Sequence, residues 1–204
     1  IVGLKGDGSP ELKSCADTLD WAYPGQLNKT IKHLKNRGIT QAVMVGQVNP
    51  GRLFKGLRPD LKTLKILLTT PERNADTLFS AVCDEFNKAG IEILPAITFL
   101  EHHLAHEGVM NKVKLNKSRQ ADLEFGFRMA KEISRLDIGQ SIVVKKGTIL
   151  AVEGFEGTDK AIRRGGELGR GGVTVAKVSK PNHDLRFDVP CIGMRTVESL
   201  IAAR

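Results

Sequence analysis

Apolar positions recur along this chain at two spacings, and the alternation between the two sets the architecture to expect. Short alternating or continuous apolar runs read as strands, whereas apolar residues three and four apart over longer stretches read as helices lying on a core. Ile1-Val2-Gly3-Leu4 is a short strand running into Lys5-Gly6-Asp7-Gly8, where the glycines mark a turn and Ser9–Leu12 begins a modest helical turn. Leu19–Ala22 is a second strand. Gly25–Gly38 is an amphipathic helix with Leu27, Ile31 and Leu34 on one face, basic residues on the other and Gly38 as its stop. Ile39–Gly46 is a buried strand. Asn49–Thr70, interrupted by Pro-Gly, Lys-Gly and Arg-Pro, reads as loops around a helix from Pro59 to Leu68. Asn74–Gly90 is a helix with Leu78, Val82 and Phe86 inward, followed by strand Ile91–Leu94 and a short helix Phe99–Glu107.

Gly108–Lys117 is polar, basic and without period, so the boundary between a first domain, 1–116, and a second, 117–204, is drawn there. Beyond it, Ser118–Leu136 is a long helix capped by Ser118, with Leu123, Phe127, Ala130 and Ile133 as its inward stripe. Ser141–Val144 and Thr148–Val152 form a hairpin across Lys145-Lys146-Gly147. Helix Thr158–Leu168, strand Val173–Val178 and a terminal helix Thr196–Ala203 complete the chain. Strand and helix alternate in the first domain, which predicts a parallel, helix-covered sheet. Ligands bind such sheets beyond the carboxyl ends of the strands, making Gly46, Gln47 and Val48 candidate rim residues.

Composition narrows the class. The chain has 204 residues, 41% hydrophobic and 26% charged, which is ordinary for a globular protein. Its formal net charge of +8 calls for an acidic partner: nucleic acid, an anionic membrane surface or a phosphorylated small molecule. Aromatic residues make up only 5%, which argues against a platform that stacks single-stranded bases. Cys15, Cys83 and Cys191 lack any CxxC spacing and read as reduced thiols. No apolar run is long enough to span a bilayer. His102 and His106 are four apart, but no Glu lies between them and no third ligand is nearby, so histidines at a helix end are the better reading than a metal site.

Two charged stretches follow strands and stand out as candidate chemistry. Lys177–Gly193 (KVSKPNHDLRFDVPCIG) places Lys177, Lys180 and Arg186 where they can neutralise phosphate oxygens, and Asp184 and Asp188 where they can hold a hard cation such as Mg²⁺. Asp184 reads equally as an Asx-turn after Pro181-Asn182, and the whole stretch equally as a solvated loop. Glu153–Asp159 (EGFEGTD) opens the helix at Thr158. Thr158 and Asp159 suit a helix start, and the Gly157-Thr158 amides suit a phosphate. Arg163 and Arg164 lie at a helix end before a Gly-rich connection, where cap and phosphate-closing roles both remain open.

These blocks, Val152–Asp159, Gly171-Gly172-Val173, Lys177–Pro181 and Asp184–Pro190, come in the order and spacing of a known family. The chain resembles the bacterial UDP-2,3-diacylglucosamine pyrophosphatases of the type once known only as a domain of unknown function, not the calcineurin-like type. The resemblance implies an α/β protein with a Rossmann-like parallel-sheet N-terminal domain, a C-terminal α+β domain and a site in the cleft between them. Relatives begin earlier, with a Gly-rich strand-to-helix turn, and run on further, so the chain is expected to lack its first strand–helix unit. The implied reaction is Mg²⁺-dependent hydrolysis to UMP and 2,3-diacylglucosamine 1-phosphate, with water attacking the α-phosphorus, a step of lipid A synthesis in Gram-negative bacteria. Asp188 falls at the position that carries catalysis, with Asp184 sharing the metal. Glu153, Glu156, Gly157, Thr158, Asp159, Lys177, Lys180, Arg186, Gly46 and Gln47 are expected around the substrate, and His183 stands where the family usually has Gln. The expected partners are a glycolipid nucleotide, an anionic inner-membrane surface and a second copy in a homo-oligomer, with no nucleic acid. The expected location is cytoplasmic, peripheral on the inner membrane. Met44, Val48, Leu53, Phe54, Phe99 and Leu104 are apolar candidates for the acyl chains, with core packing the better reading for most of them.

Overall fold

The leading apolar runs pair in parallel, each across an intervening helical segment. β1 (Val2–Leu4) pairs with β2 (Asp20–Ala22), and β3 (Gln41–Val43) with β4 (Glu92–Leu94), as two separate two-stranded sheets. A single continuous parallel sheet was the expectation; among the described residues the pairs do not join. The computed structural model describes residues 1–46, 57–70 and 75–204. The chain divides into two units: Ile1–Glu101 with Asp184–Phe187, and His102–His183 with Asp188–Arg204. Both mix helix and strand.

In the first unit, α1 (Leu27–Lys35), α2 (Leu61–Thr69) and α3 (Ala75–Lys88) bury Leu27, Ile31, Ile66, Cys83 and Phe86 against Ile91 and Ile93. The Asp60 carboxylate serves two helix starts, accepting from Thr63 N at 3.1 Å and Asn28 N at 2.6 Å. The Asp184–Phe187 segment packs here: Ala96 N donates to Leu185 O at 2.7 Å, and the Phe187 ring stacks on Phe79 with centroids 5.5 Å apart. The expected strand Ile39–Gly46 shortens to three residues, with Val45 largely exposed. The expected helix Phe99–Glu107 reduces to a single 3₁₀ turn, Glu101–His103, and Phe99 takes a positive φ of 67° that breaks a helix.

The second unit is a three-stranded antiparallel sheet between helices. β5 (Ser141–Lys145) is central, with β6 (Thr148–Val152) on one side and β7 (Thr174–Lys177) on the other. α4 (Lys117–Arg135) covers one face, around a core of Ala130, Ile142, Val144, Ala176 and Val178. On the other face α5 (Thr158–Gly169) lies against β5, and α6 (Met194–Ala202) packs on α5. Gly165 permits that approach, since a Cβ there would sit 2.5 Å from Val143 Cγ1.

The inward face of α4 keeps Ala130 and Ile133 of the stripe that periodicity predicts and otherwise departs from it. Asp122, Gly126, Ala130 and Ser134 are buried, while Leu123 and Phe127 are 37% and 54% exposed. The reason is closeness. A Cβ on Gly126 would lie 3.3 Å from Ala176 Cβ, so the face that meets the sheet is the one with small residues. Asp122 also fills a polar need there, accepting from Lys146 N at 2.8 Å and Gly147 N at 2.7 Å in the β5–β6 turn. The helix is capped by Asn116, whose Oδ1 accepts from Arg119 N, and not by Ser118.

Candidate functional site

β6 and β7 both run antiparallel to β5, so their carboxyl ends meet the amino end of β5 at one end of the sheet. Glu153 follows β6, Lys177 ends β7 opposite Ser141, and α5 starts there after the short turn Gly154–Gly157. Gly157 precedes α5 at φ 85°, a left-handed conformation that favours glycine. Side chains from four separate stretches therefore converge through backbone geometry alone.

Their hydrogen bonds form a connected network. Thr158 Oγ1 donates to Glu153 Oε1 at 2.8 Å and accepts from Lys177 Nζ at 3.2 Å. Ser141 Oγ lies 3.4 Å from the same hydroxyl. Lys177 Nζ also donates to Cys191 O at 2.9 Å, and Glu153 N donates to Ser141 O at 2.9 Å. One residue before Ser141, Gln140 Nε2 donates to Asp188 Oδ1 at 2.9 Å. Thr158 thus holds the Glu153 carboxylate and Gln140 that of Asp188.

Each carboxylate keeps one oxygen back. Glu153 Oε2 and Asp188 Oδ2 are buried without a hydrogen-bond partner among the described residues. Leaving a buried charged oxygen unsatisfied costs on the order of 1–3 kcal/mol or more, so such atoms mark places where a cation, water or substrate donor belongs. An unpaired Glu153 oxygen next to the Thr158–Lys177 pair and the start of α5, with a second unpaired oxygen on Asp188, suits a divalent cation and a phosphate. No cluster of three or more His, Cys, Asp or Glu side chains capable of holding a metal occurs among the described residues, so further ligands would be water and phosphate oxygens.

The other expected site residues lie elsewhere in the hydrogen-bond pattern. Asp184 belongs to the first unit, where its two oxygens accept from Arg186 N, Nε and Nη2 at 2.6 to 3.1 Å. That ion pair, led by the hydrogen bond, raises the Arg186 pKa further. A carboxylate committed in this way locks its own turn, the Asx-type alternative. Glu156 folds back on its own turn. Its Oε2 accepts from Gly154 N at 3.0 Å and its Oε1 from Arg164 Nη2 at 2.5 Å, and backbone amides followed by Arg164 hold its pKa below the usual range. Arg164 is thereby a clamp on the Glu156 turn. Lys180 is paired with Asp137, and His183 Nδ1 lies 3.1 Å from Lys180 O. Asp159 sits in the first turn of α5. Gly46 is in the first unit at φ 94°, while Gln47 falls outside the described residues. So do Val48, Leu53 and Phe54. His102 and His103 are exposed, with rings 4.1 Å apart.

Gln140, Ser141 and the Cys191 carbonyl are the members that sequence reading misses. Gln140 reaches Asp188 across 48 positions, and no local pattern signals such a bond. Only the buried serine heading an otherwise apolar strand offered a hint.

A family model described as the LpxI N-terminal domain matches residues 1–103, and one described as the LpxI C-terminal domain matches residues 106–204. A curated relative from Caulobacter vibrioides, named UDP-2,3-diacylglucosamine pyrophosphatase LpxI, is 36% identical over 91% of this chain and 72% of its own length.

Proposed function

The chain belongs to the LpxI family, and from that premise we propose that it hydrolyses UDP-2,3-diacylglucosamine to UMP and 2,3-diacylglucosamine 1-phosphate in lipid A synthesis. The observation that carries the reading is the convergence of Lys177, the α5 N-terminus and two half-satisfied carboxylates at one end of the second unit's sheet. Pyrophosphate hydrolysis asks for this inventory: charge neutralisation, an aligned water and little covalent chemistry from the protein.

In this scheme the Lys177 ammonium and the first amides of α5 neutralise the diphosphate. Gln140 fixes Asp188 through Oδ1 and leaves Oδ2 to orient the attacking water and take its proton. Water forms the new bond to the α-phosphorus. The bond to the bridging oxygen breaks, and that oxygen leaves with the sugar-bound phosphate. A divalent cation such as Mg²⁺ would be held by Glu153 through its unpaired Oε2, with water and phosphate oxygens, and would supply further neutralisation of the phosphates. Glu153 thus takes the place that sequence reading gave Asp184. The paired parallel strands and helices of the first unit suit the Rossmann-like half of the family.

No helix among the described residues is long and apolar enough to cross a membrane. The net charge of +8 favours docking on the anionic cytoplasmic leaflet, where this glycolipid would be met. Release of UMP from the lipid substrate, with Mg²⁺ and with EDTA, tests the activity and its metal together. UMP release in both arms would retain the hydrolase and remove the cation; none in either arm would remove the hydrolase. Salt-sensitive cosedimentation with acidic vesicles tests the docking.

A further inference from the structure

Phe187 and Asp188 are joined by one peptide bond, yet Phe187 belongs to the first unit and Asp188 to the second. Upstream of that bond the chain is fixed from several sides. The Asp184 carboxylate accepts from Arg186 N, Nε and Nη2, and Phe187 N donates to Asp184 O at 3.1 Å, so Asp184–Phe187 closes into a braced turn. Leu185 O accepts from Ala96 N at 2.7 Å. The Phe187 ring stacks on Phe79 of α3, with centroids 5.5 Å apart, and packs against the first unit's core. Asp188 itself lies outside helix and strand, and Gln140 holds its Oδ1 alone. Consecutive Cα atoms stand about 3.8 Å apart, so a fixed Phe187 leaves the Asp188 backbone little room to wander. A displacement of about 1 Å at a reacting group can cost about a hundredfold in rate.

We propose that Phe79 and Phe187 are positioning residues for the Asp188 carboxylate: an aromatic stack in the first unit sets the aim of the reacting group in the second. The inference rests on the hydrolase reading, with Asp188 orienting the water. Lys177 and the first amides of α5, which meet the phosphates in that reading, are placed by elements of the second unit. Loosening the stack therefore acts on kcat and spares KM.

Phe79→Leu and Phe187→Leu keep an apolar side chain and remove the stack, while Asp184→Asn removes the charge that braces the turn. UMP release is followed in Mg²⁺ over a range of substrate concentrations, well below each melting temperature, with circular dichroism giving the folded fraction. Both Leu variants should lower kcat about tenfold and leave KM within about twofold; Asp184→Asn should lower kcat about threefold, and Phe187→Tyr, which keeps the ring, should hold it within about twofold. The same changes are then made in Asp188→Asn. A positioning role vanishes with the group it positions, so there they should leave the residual rate unchanged. The full loss persisting in that background would reveal general damage and overturn the proposal, as would a normal kcat in the folded Leu variants or a rise in KM alone. Where a Leu variant does not fold, Asp184→Asn decides on the same terms. An Asp188→Asn protein that hydrolyses at the original rate would instead strike the underlying reading.

Discussion

Replacing Asp188 by Asn should make the protein inactive and slightly more stable, an uncommon pairing that follows from the hydrogen bonds. Asp188 Oδ1 accepts from Gln140 Nε2 at 2.9 Å, and an Asn side chain keeps that acceptor. Asp188 Oδ2 is buried and unpaired, so the native carboxylate holds a charged orphan that the amide replaces with a neutral one. Unsatisfied buried polar groups cost ~1–3 kcal/mol, and charged ones more, so the exchange recovers on the order of 1 kcal/mol. At this size that corresponds to a rise of roughly 2–4 °C in Tm. Loss of a group that orients and deprotonates water should lower kcat by about 10²–10⁴. Calorimetry in EDTA and UMP release in Mg²⁺ read the two effects separately. Mg²⁺ at about 100 times its Kd should then stabilise the unaltered protein and the variant alike, by about 2.7 kcal/mol, the cation being held by Glu153. A variant that melts several degrees lower, or that still releases UMP at the original rate, would refute the reasoning.

Other outcomes follow from individual contacts. Lys177→Met should reduce kcat/KM by about a hundredfold, because it removes the one ammonium bonded to Thr158, whereas Glu156→Gln should have a much smaller effect, its carboxylate being turned to Gly154 and Arg164; steady-state kinetics compares them. Asp122→Ala should destabilise by about 2–4 kcal/mol in urea titrations, since it strips two charge-assisted bonds from the β5–β6 turn. Hydrogen bonds from Lys62 and then Lys88 lower the Glu85 pKa from 4.5 to about 2. A depressed carboxylate pKa contributes stability above the unfolded value and loses it below, so stability should fall between pH 4.5 and about 2, and less steeply in Glu85→Gln.

Helices were legible where burial and period agree, as in α1, whose Leu27 and Ile31 are buried as their spacing predicts. α4 was placed correctly and Ala130 and Ile133 of its predicted stripe meet the core, but Leu123 and Phe127 do not, because Gly126 brings the helix close to the sheet and the buried face shifts onto Asp122 and Gly126. Period counts hydrophobes and does not register closeness. Glu153, Lys177 and Asp188 stand out in the sequence because charged residues after strands are rarely needed for packing, and Thr158 because it opens a helix. Sequence groups Asp184 with Asp188, whereas their hydrogen bonds differ. The two are four residues apart, yet one is consumed by Arg186 within its own turn and the other is held by a glutamine 48 positions earlier.

The short return of Asp184–Phe187 to the first unit bears on how this protein can be taken apart. A fragment ending near Glu101 would leave Phe79 without the ring it stacks on and Ala96 without its carbonyl, and it should expose a sticky surface and aggregate when expressed alone. Chimeras between relatives that join halves at a single crossover would inherit the same defect. Grafting those four residues from the same parent as the N-terminal half is what such recombination requires.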